Sequence, residues 1–215
     1  MVPKKTTILT PLQVTVLKAL FKDKEFSKHF YLTGGTALAG FYLYHRYSDD
    51  LNFFTHAENM YFLWPLIQRT AALSPMKIET RTPNFIRIQV QGELQVDFVL
   101  DVPYRKGLPI TKDKCRIDTL ENIILNKISA IQGRLDPKDY VDLYFLLKDR
   151  EKDILKLLAE AKAKDSSIEP FLWSKIIGDV TSFRTLPRMI LPVDLKYVVT
   201  FFHRLRQIIL LDFKP

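Results

Sequence analysis

The stretch Tyr31–Phe54, YLTGGTALAGFYLYHRYSDDLNFF, decides how this chain folds. Tyr31 and Leu32 are apolar and finish a strand. Gly34 and Gly35 follow, and glycine allows both a sharp backbone turn and the close approach of a ligand. From Thr36 the run Ala37 to Tyr44 is apolar and long enough for a short helix, whose first N–H groups are open to an anion such as a phosphate. After Arg46 the period changes from helical to alternating. In a strand, Leu51 and Phe53 face one side while Asp50 and Asn52 face the other. A phosphate cradle therefore lies next to an edge of oxygen ligands. Nucleotidyl transfer needs both, the one for a triphosphate and the other for magnesium.

Working outward, Thr10-Pro11 predicts a helix entry, followed by Leu12, Val16, Leu17, Leu20 and Phe21 at helical spacing. Residues 1–10 read as a loose start. Phe26 to Leu32 leads into the Gly-Gly turn. Glu58 to Leu73 predicts an amphipathic helix with Pro65 as a kink. Residues 76–101 predict three strands: Lys77 to Thr80, Asn84 to Gln91, and Leu94 to Val102 after a turn at Gly92-Glu93. An acid among apolar neighbours on a central strand is expensive unless it is paired or bound to metal. Asp97 is such an acid, and Asp101, on the same face, is its competitor.

Pro103 to Asp113, PYRKGLPITKD, reads as a basic loop near which the chain divides, into a core of 1–110 and a helical domain of 111–215. Asp118-Thr-Leu-Glu121 has the capping-box pattern, and the helix it opens ends at Gly133. Lys127 lies on or beside that helix's apolar stripe, where a solvated lysine would be opposite. Asp136-Pro137 starts another helix, on which Asp139 and Asp142 share a face. Asp153 to Ala163, a segment through Ile177 capped by Ser166 or Ser167, and Leu195 to Phe213 complete a helical half.

The chain has 215 residues, 47% of them apolar, so it can bury a core. Its net charge of +8 favours a polyanionic partner such as RNA. Cys115 is the one cysteine, which rules out an intramolecular disulfide and suits a reducing, cytoplasmic setting. Lys114 and Arg116 flank it with charge of the sign that lowers a thiol pKa, without a companion catalytic pattern. No apolar run predicts a signal peptide or a membrane span. Four histidines and one cysteine argue against zinc.

Two blocks, GGTALAGFYLYHRYSDDLNFF and ILNKISAIQGRLDPKDYVDLYFLL, resemble the AbiEii/AbiGii toxin-type nucleotidyltransferases, a branch of the DNA polymerase β-like superfamily. The resemblance covers Tyr31 to Leu147. The family's first motif ends in Asp-Leu-Asp, where this chain has Asp50-Leu51-Asn52. In the second motif Lys127, Ala130, Arg134, Asp139 and Asp142-Leu143 match, with Lys138 in place of the usual Arg. That swap keeps the charge and loses a bidentate fork.

The resemblance implies an α/β (α+β) fold: a small mixed sheet with flanking helices, and a helical C-terminal half that completes a cleft. It implies that Gly34, Gly35 and Thr36 hold the phosphates of a nucleoside triphosphate, with Arg46 and Lys127 assisting. Asp50, Asn52 and Asp97 would hold two magnesium ions, Asp97 would help deprotonate the acceptor, and Asp139 would orient Lys127 or the nucleotide. The acceptor implied is RNA, in particular transfer RNA, and the setting a toxin–antitoxin or phage-defence system with a cognate antitoxin protein. Because Asn52 is neutral, a member that binds nucleotide or RNA without turnover is the alternative, as is modification of a small molecule.

Overall fold

The computed structural model describes residues 8–212, so residues 1–7 of the expected loose start, and Phe213, lie outside it. The described chain divides into two compact units. The first runs to Pro103 and takes in Gly107–Thr119; the second holds Tyr104–Lys106 and the described residues from Leu120 onward.

The first unit begins with α1 (Pro11–Lys22). The Thr10 hydroxyl accepts from the Gln13 N–H at 3.1 Å while the Gln13 side chain takes the Thr10 N–H at 2.9 Å, a closed capping box. Asp23 ends α1 and caps α2 (Lys24–His29), a six-residue helix that the sequence reading passed over. Its one buried side chain, Phe26, gives too little periodicity to see. The first strand, β1 (Phe30–Thr33), leads into α3 (Gly34–Leu38) and a π-helical turn, Ala39–Leu43, stopped by Tyr44 in the left-handed region. Then come β2 (Leu51–Thr55), α4 (Met60–Gln68) with Pro65 inside it, and a 3₁₀ turn at Ala71–Leu73. The strands β3 (Met76–Arg81), β4 (Phe85–Val90) and β5 (Leu94–Leu100) follow as predicted.

The expected loop of residues 103–113 is not wholly a loop. It ends in β6 (Ile110–Lys112), which pairs with β7 (Cys115–Ile117). Asp113 and Lys114 make the turn with φ of 46° and 65°. Left-handed turns of this kind normally advertise themselves with Asn or Gly, and Asp-Lys conceals this one.

Among the described residues the strands form one seven-stranded mixed sheet, ordered β3-β4-β5-β2-β1-β7-β6. β2 sits near its middle, antiparallel to β1 and parallel to β5. Its burial alternates: Leu51, Phe53 and Thr55 are buried, and Asn52 and Phe54 are half-buried. Leu51 and Phe53 join Ile86, Ile88, Val96 and Phe98 in the core. Phe53 stacks on Phe98 at 5.5 Å and meets Phe26 edge-on at 5.3 Å.

The second unit is helical: α5 (Leu120–Gly133), α6 (Pro137–Leu147), α7 (Ile154–Lys164), α8 (Pro170–Ile176) and α9 (Leu195–Asp212). The cap of α8 is Glu169, whose carboxylate takes the N–H groups of Phe171 and Leu172. The expected cap was Ser166 or Ser167, but Ser167 is tied to the Asp165 carboxylate instead. Trp173 on α8 is fully buried and donates to the Ile128 carbonyl of α5 at 3.2 Å. Tyr140 packs between Phe183 and Phe202 at 4.9 and 4.8 Å. Among the described residues no helix is long and apolar enough to cross a membrane.

Phe53 is at the centre of the aromatic cluster, so Phe53→Ala is expected to cost about 3–5 kcal/mol of stability in urea unfolding. The exposed Phe62, changed to Ala, is expected to stay within about 0.5 kcal/mol of the unaltered chain.

Candidate active site

In the first unit the sheet register assembles the site. β1, β2, β5 and β4 place Thr33, Asn52, Asp97 and Arg87 side by side in one row. Asp50 precedes that row on the β2 chain. Its Oδ1 accepts from the Ser48 hydroxyl at 3.2 Å and its Oδ2 from the Asn52 amide at 3.1 Å. Both partners are neutral, so among the described residues neither of these bonds gives the Asp50 charge a cation of its own.

The Gly-Gly turn closes over this row. Gly34 has φ of +70°, which glycine adopts without strain, and a Cβ there would come within 3.4 Å of the Asn52 amide. At Gly35 a Cβ would lie 2.5 Å from Nη2 of Arg46 and 2.9 Å from the Ser48 hydroxyl. Arg46 is fully buried and fills the space that Gly35 leaves open. The Thr36 hydroxyl donates to the Asp50 carbonyl and pins the turn to the acidic strand. Gly34, Gly35, Thr36, Arg46, Asp50, Asn52 and Asp97 are thus gathered in one place.

Asp97 has a partner that the sequence reading missed. Arg87 grips it with both arms of its fork, Nε to Oδ1 at 2.8 Å and Nη2 to Oδ2 at 2.7 Å, and Gln95 adds a bond to Oδ2 at 3.2 Å. The bond to Asp97, outweighing desolvation, raises the Arg87 pKa, with Glu79 and Asp50 adding to the effect. The signal was in the sequence: a hairpin turning at Gly92 sets residue 87 opposite residue 97. The competitor, Asp101, accepts from the Tyr31 hydroxyl and the Val102 N–H, with His56 at 3.8 Å. Among the described residues no three His, Cys, Asp or Glu side chains form a group set to hold a metal. The oxygen donors beside the turn are the Asp50 carboxylate and the Asn52 amide oxygen, a hard set that suits one divalent ion.

In the second unit Lys127 is buried on α5 between two carboxylates of α6, 2.7 Å from Asp139 and 2.6 Å from Asp142. Arg134 holds the other oxygen of Asp139 at 2.7 Å. Burial alone would push the Asp139 carboxyl up, but Lys127 and Arg134 together outweigh it and hold it below the usual carboxylate range. Cys115 goes the other way: burial, with Asp113 adding to it, pushes the thiol up to about 11, so its basic neighbours do not activate it.

This sheet and site have the nucleotidyltransferase fold. The crystal structure of an H. pylori protein described as a nucleotidyltransferase matches with a TM-score of 0.60 at 21% identity, over 92% of this chain and 91% of that one. JHP933 from Helicobacter pylori matches with a TM-score of 0.58 at 24% identity, over 92% and 88%. An uncharacterized protein of Aquifex aeolicus (strain VF5) is 30% identical over 149 residues, 65% of this chain and 68% of that protein. The family model described as nucleotidyl transferase AbiEii toxin, type IV TA system, matches residues 15–192. The chain belongs to this AbiEii family and is a nucleotidyltransferase.

Two measurements check the geometry. Gly35→Ala forces a Cβ against the buried Arg46 guanidinium and is expected to cost about 1–3 kcal/mol, read as a fall in Tm. Asp139→Asn is expected to cost about 1.5–3 kcal/mol near neutral pH, because it weakens the charge-assisted bonds from Lys127 and Arg134 while Asp142 stays on Lys127. The Asp139 pKa is lowered by folding, so its contribution is complete above its ordinary value of 3.8 and is lost as pH falls through the lower folded value. In a series of unfolding curves the gap between Asp139→Asn and the unaltered chain is therefore expected to close only below pH 3.8.

Proposed function

We propose that this nucleotidyltransferase moves a nucleoside monophosphate from a triphosphate to an RNA hydroxyl, with transfer RNA as the acceptor, as the toxin of a cytoplasmic toxin–antitoxin pair. The observation that carries this reading is Asp50 and the Asn52–Asp97 row lying under the Gly34-Gly35 turn. The net charge of +8 supports a polyanionic acceptor, and the family's TA-system description supports an antitoxin protein as partner.

In this reading the turn N–H groups and the Thr36 region receive the triphosphate tail, with Arg46 behind Gly35 adding positive charge. Magnesium would be the metal, which Asp50 and the Asn52 amide oxygen would hold, and it would supply charge stabilisation at the phosphoryl oxygens. The acceptor hydroxyl oxygen forms the new bond to the α-phosphorus, the α–β bridging P–O bond breaks, and pyrophosphate leaves. Asp97 Oδ1 receives the hydroxyl's hydrogen bond and then its proton, since that oxygen keeps a lone pair beyond the one Arg87 uses, while Gln95 takes the second on Oδ2.

Asn52 favours a second reading, a member that binds without turnover, because a neutral amide cannot share charge between metals. Incubation with each labelled triphosphate, magnesium and total transfer RNA separates the two. Label on RNA is expected with the unaltered chain, about 10-fold more with Asn52→Asp, and at least about 100-fold less with Asp50→Asn. No label on RNA from either the unaltered chain or Asn52→Asp overturns the reading. Binding of triphosphate alone would then support the non-catalytic one. RNA binding that does not weaken steeply with salt would point to a small-molecule acceptor.

A further inference from the structure

The sheet row holds a feature that nucleotidyl transfer does not itself require. The β4–β5 hairpin turns at Gln91 and Gly92, both at positive φ, and its register sets Arg87 directly across from Asp97. The fork occupies one lone pair on each Asp97 oxygen, and Gln95 takes a second on Oδ2. Asp97 is 7% exposed and Arg87 36%, so the carboxylate is the buried partner and the guanidinium covers it. Arg87 also lies 5.3 Å from the centre of the Phe85 ring, which backs it. Leaving Asp97 would therefore break two charge-assisted bonds together.

Charge at the row is correspondingly low. Asp50 and Asp97 supply two negative charges, Asn52 none, and Arg87 returns one positive charge. Two divalent ions about 3.5–4 Å apart repel strongly and need a carboxylate set able to bridge them. Here the bridging position is an amide, and the carboxylate beyond it is already matched to a cation.

We propose that Arg87 stands in for a second metal: the centre takes one divalent ion, beside Asp50 and Asn52, and the Arg87 guanidinium is the fixed positive charge at Asp97. This rests on the nucleotidyl-transfer reading and refines it. Arg87 is a positioning residue in this role. It orients Asp97 so that the remaining lone pair of Oδ1 faces an acceptor hydroxyl, and its charge is in place before any substrate arrives. Asn52 then fits the site, because a carboxylate bridging two ions has nothing to bridge.

Manganese reports the number of ions directly. The chain would be saturated with an α,β-methylene triphosphate, titrated with Mn²⁺, and followed by electron paramagnetic resonance, with calorimetry recording triphosphate binding separately. One magnetically isolated Mn²⁺ per chain is expected for the unaltered protein and for Asn52→Asp, because Arg87 still holds Asp97. The double variant Asn52→Asp, Arg87→Gln is expected to take two, with a spin-coupled spectrum. A coupled pair in the unaltered chain or in Asn52→Asp overturns the inference, as does a single ion in the double variant. The first two proteins retain Arg87, so they test the idea even where its removal disturbs the fold. A chain that binds triphosphate with a coupled pair loses only this inference, whereas a chain that binds no triphosphate loses the functional reading on which it rests.

Discussion

The register of β2 between its two neighbours is the constraint on which the rest of the site depends. Strand pairing fixes which residues stand abreast, and a slip of one residue would turn Asp50 and Asn52 into the core and bring Leu51 and Phe53 out. That slip is blocked by the aromatic cluster. Phe53 is stacked against Phe98 and edge-on to Phe26, so apolar burial on one face sets the polar row on the other. The chemistry of the open face is positioned by packing energy on the closed one.

The two units handle buried charge differently. In the sheet, Asp50 accepts from two neutral donors while both oxygens of Asp97 are held by Arg87. In the helical unit, Lys127 is shared by Asp139 and Asp142, and Arg134 supplies a further cation. A buried lysine between two carboxylates is held in one place by its partners. That arrangement explains why α6 carries acids at a spacing that faces α5.

Much of this was legible in the residues. Alternation over Asp50–Phe54 gave the correct faces of β2, and the acid among apolar neighbours marked Asp97 as a residue needing a partner. The partner itself was missed, although the hairpin arithmetic around Gly92 contains it, because an arginine on an alternating strand looks like a solvated face. The six-residue α2 and the three-residue β6 and β7 were invisible for a different reason. They hold too few residues for a period to emerge, and their existence is decided by the sheet they join. The cap of α8 lies two residues beyond Ser167 because Ser167 had a nearer claim in Asp165.

The order of strands in the sheet differs from their order in the chain, and this bears on synthesis. β1 is complete at Thr33, but one of its edges is covered only by β7, through Leu32 opposite Ile117 and the Asp118 N–H on the Leu32 carbonyl at 2.8 Å. The active row, by contrast, is finished once β5 is made. A nascent chain, or a product terminated between residues 100 and 115, would carry a formed row beside an unpaired strand edge. Such edges recruit other chains. Early termination of this protein would thus tend to yield material that associates with itself, rather than a smaller working enzyme.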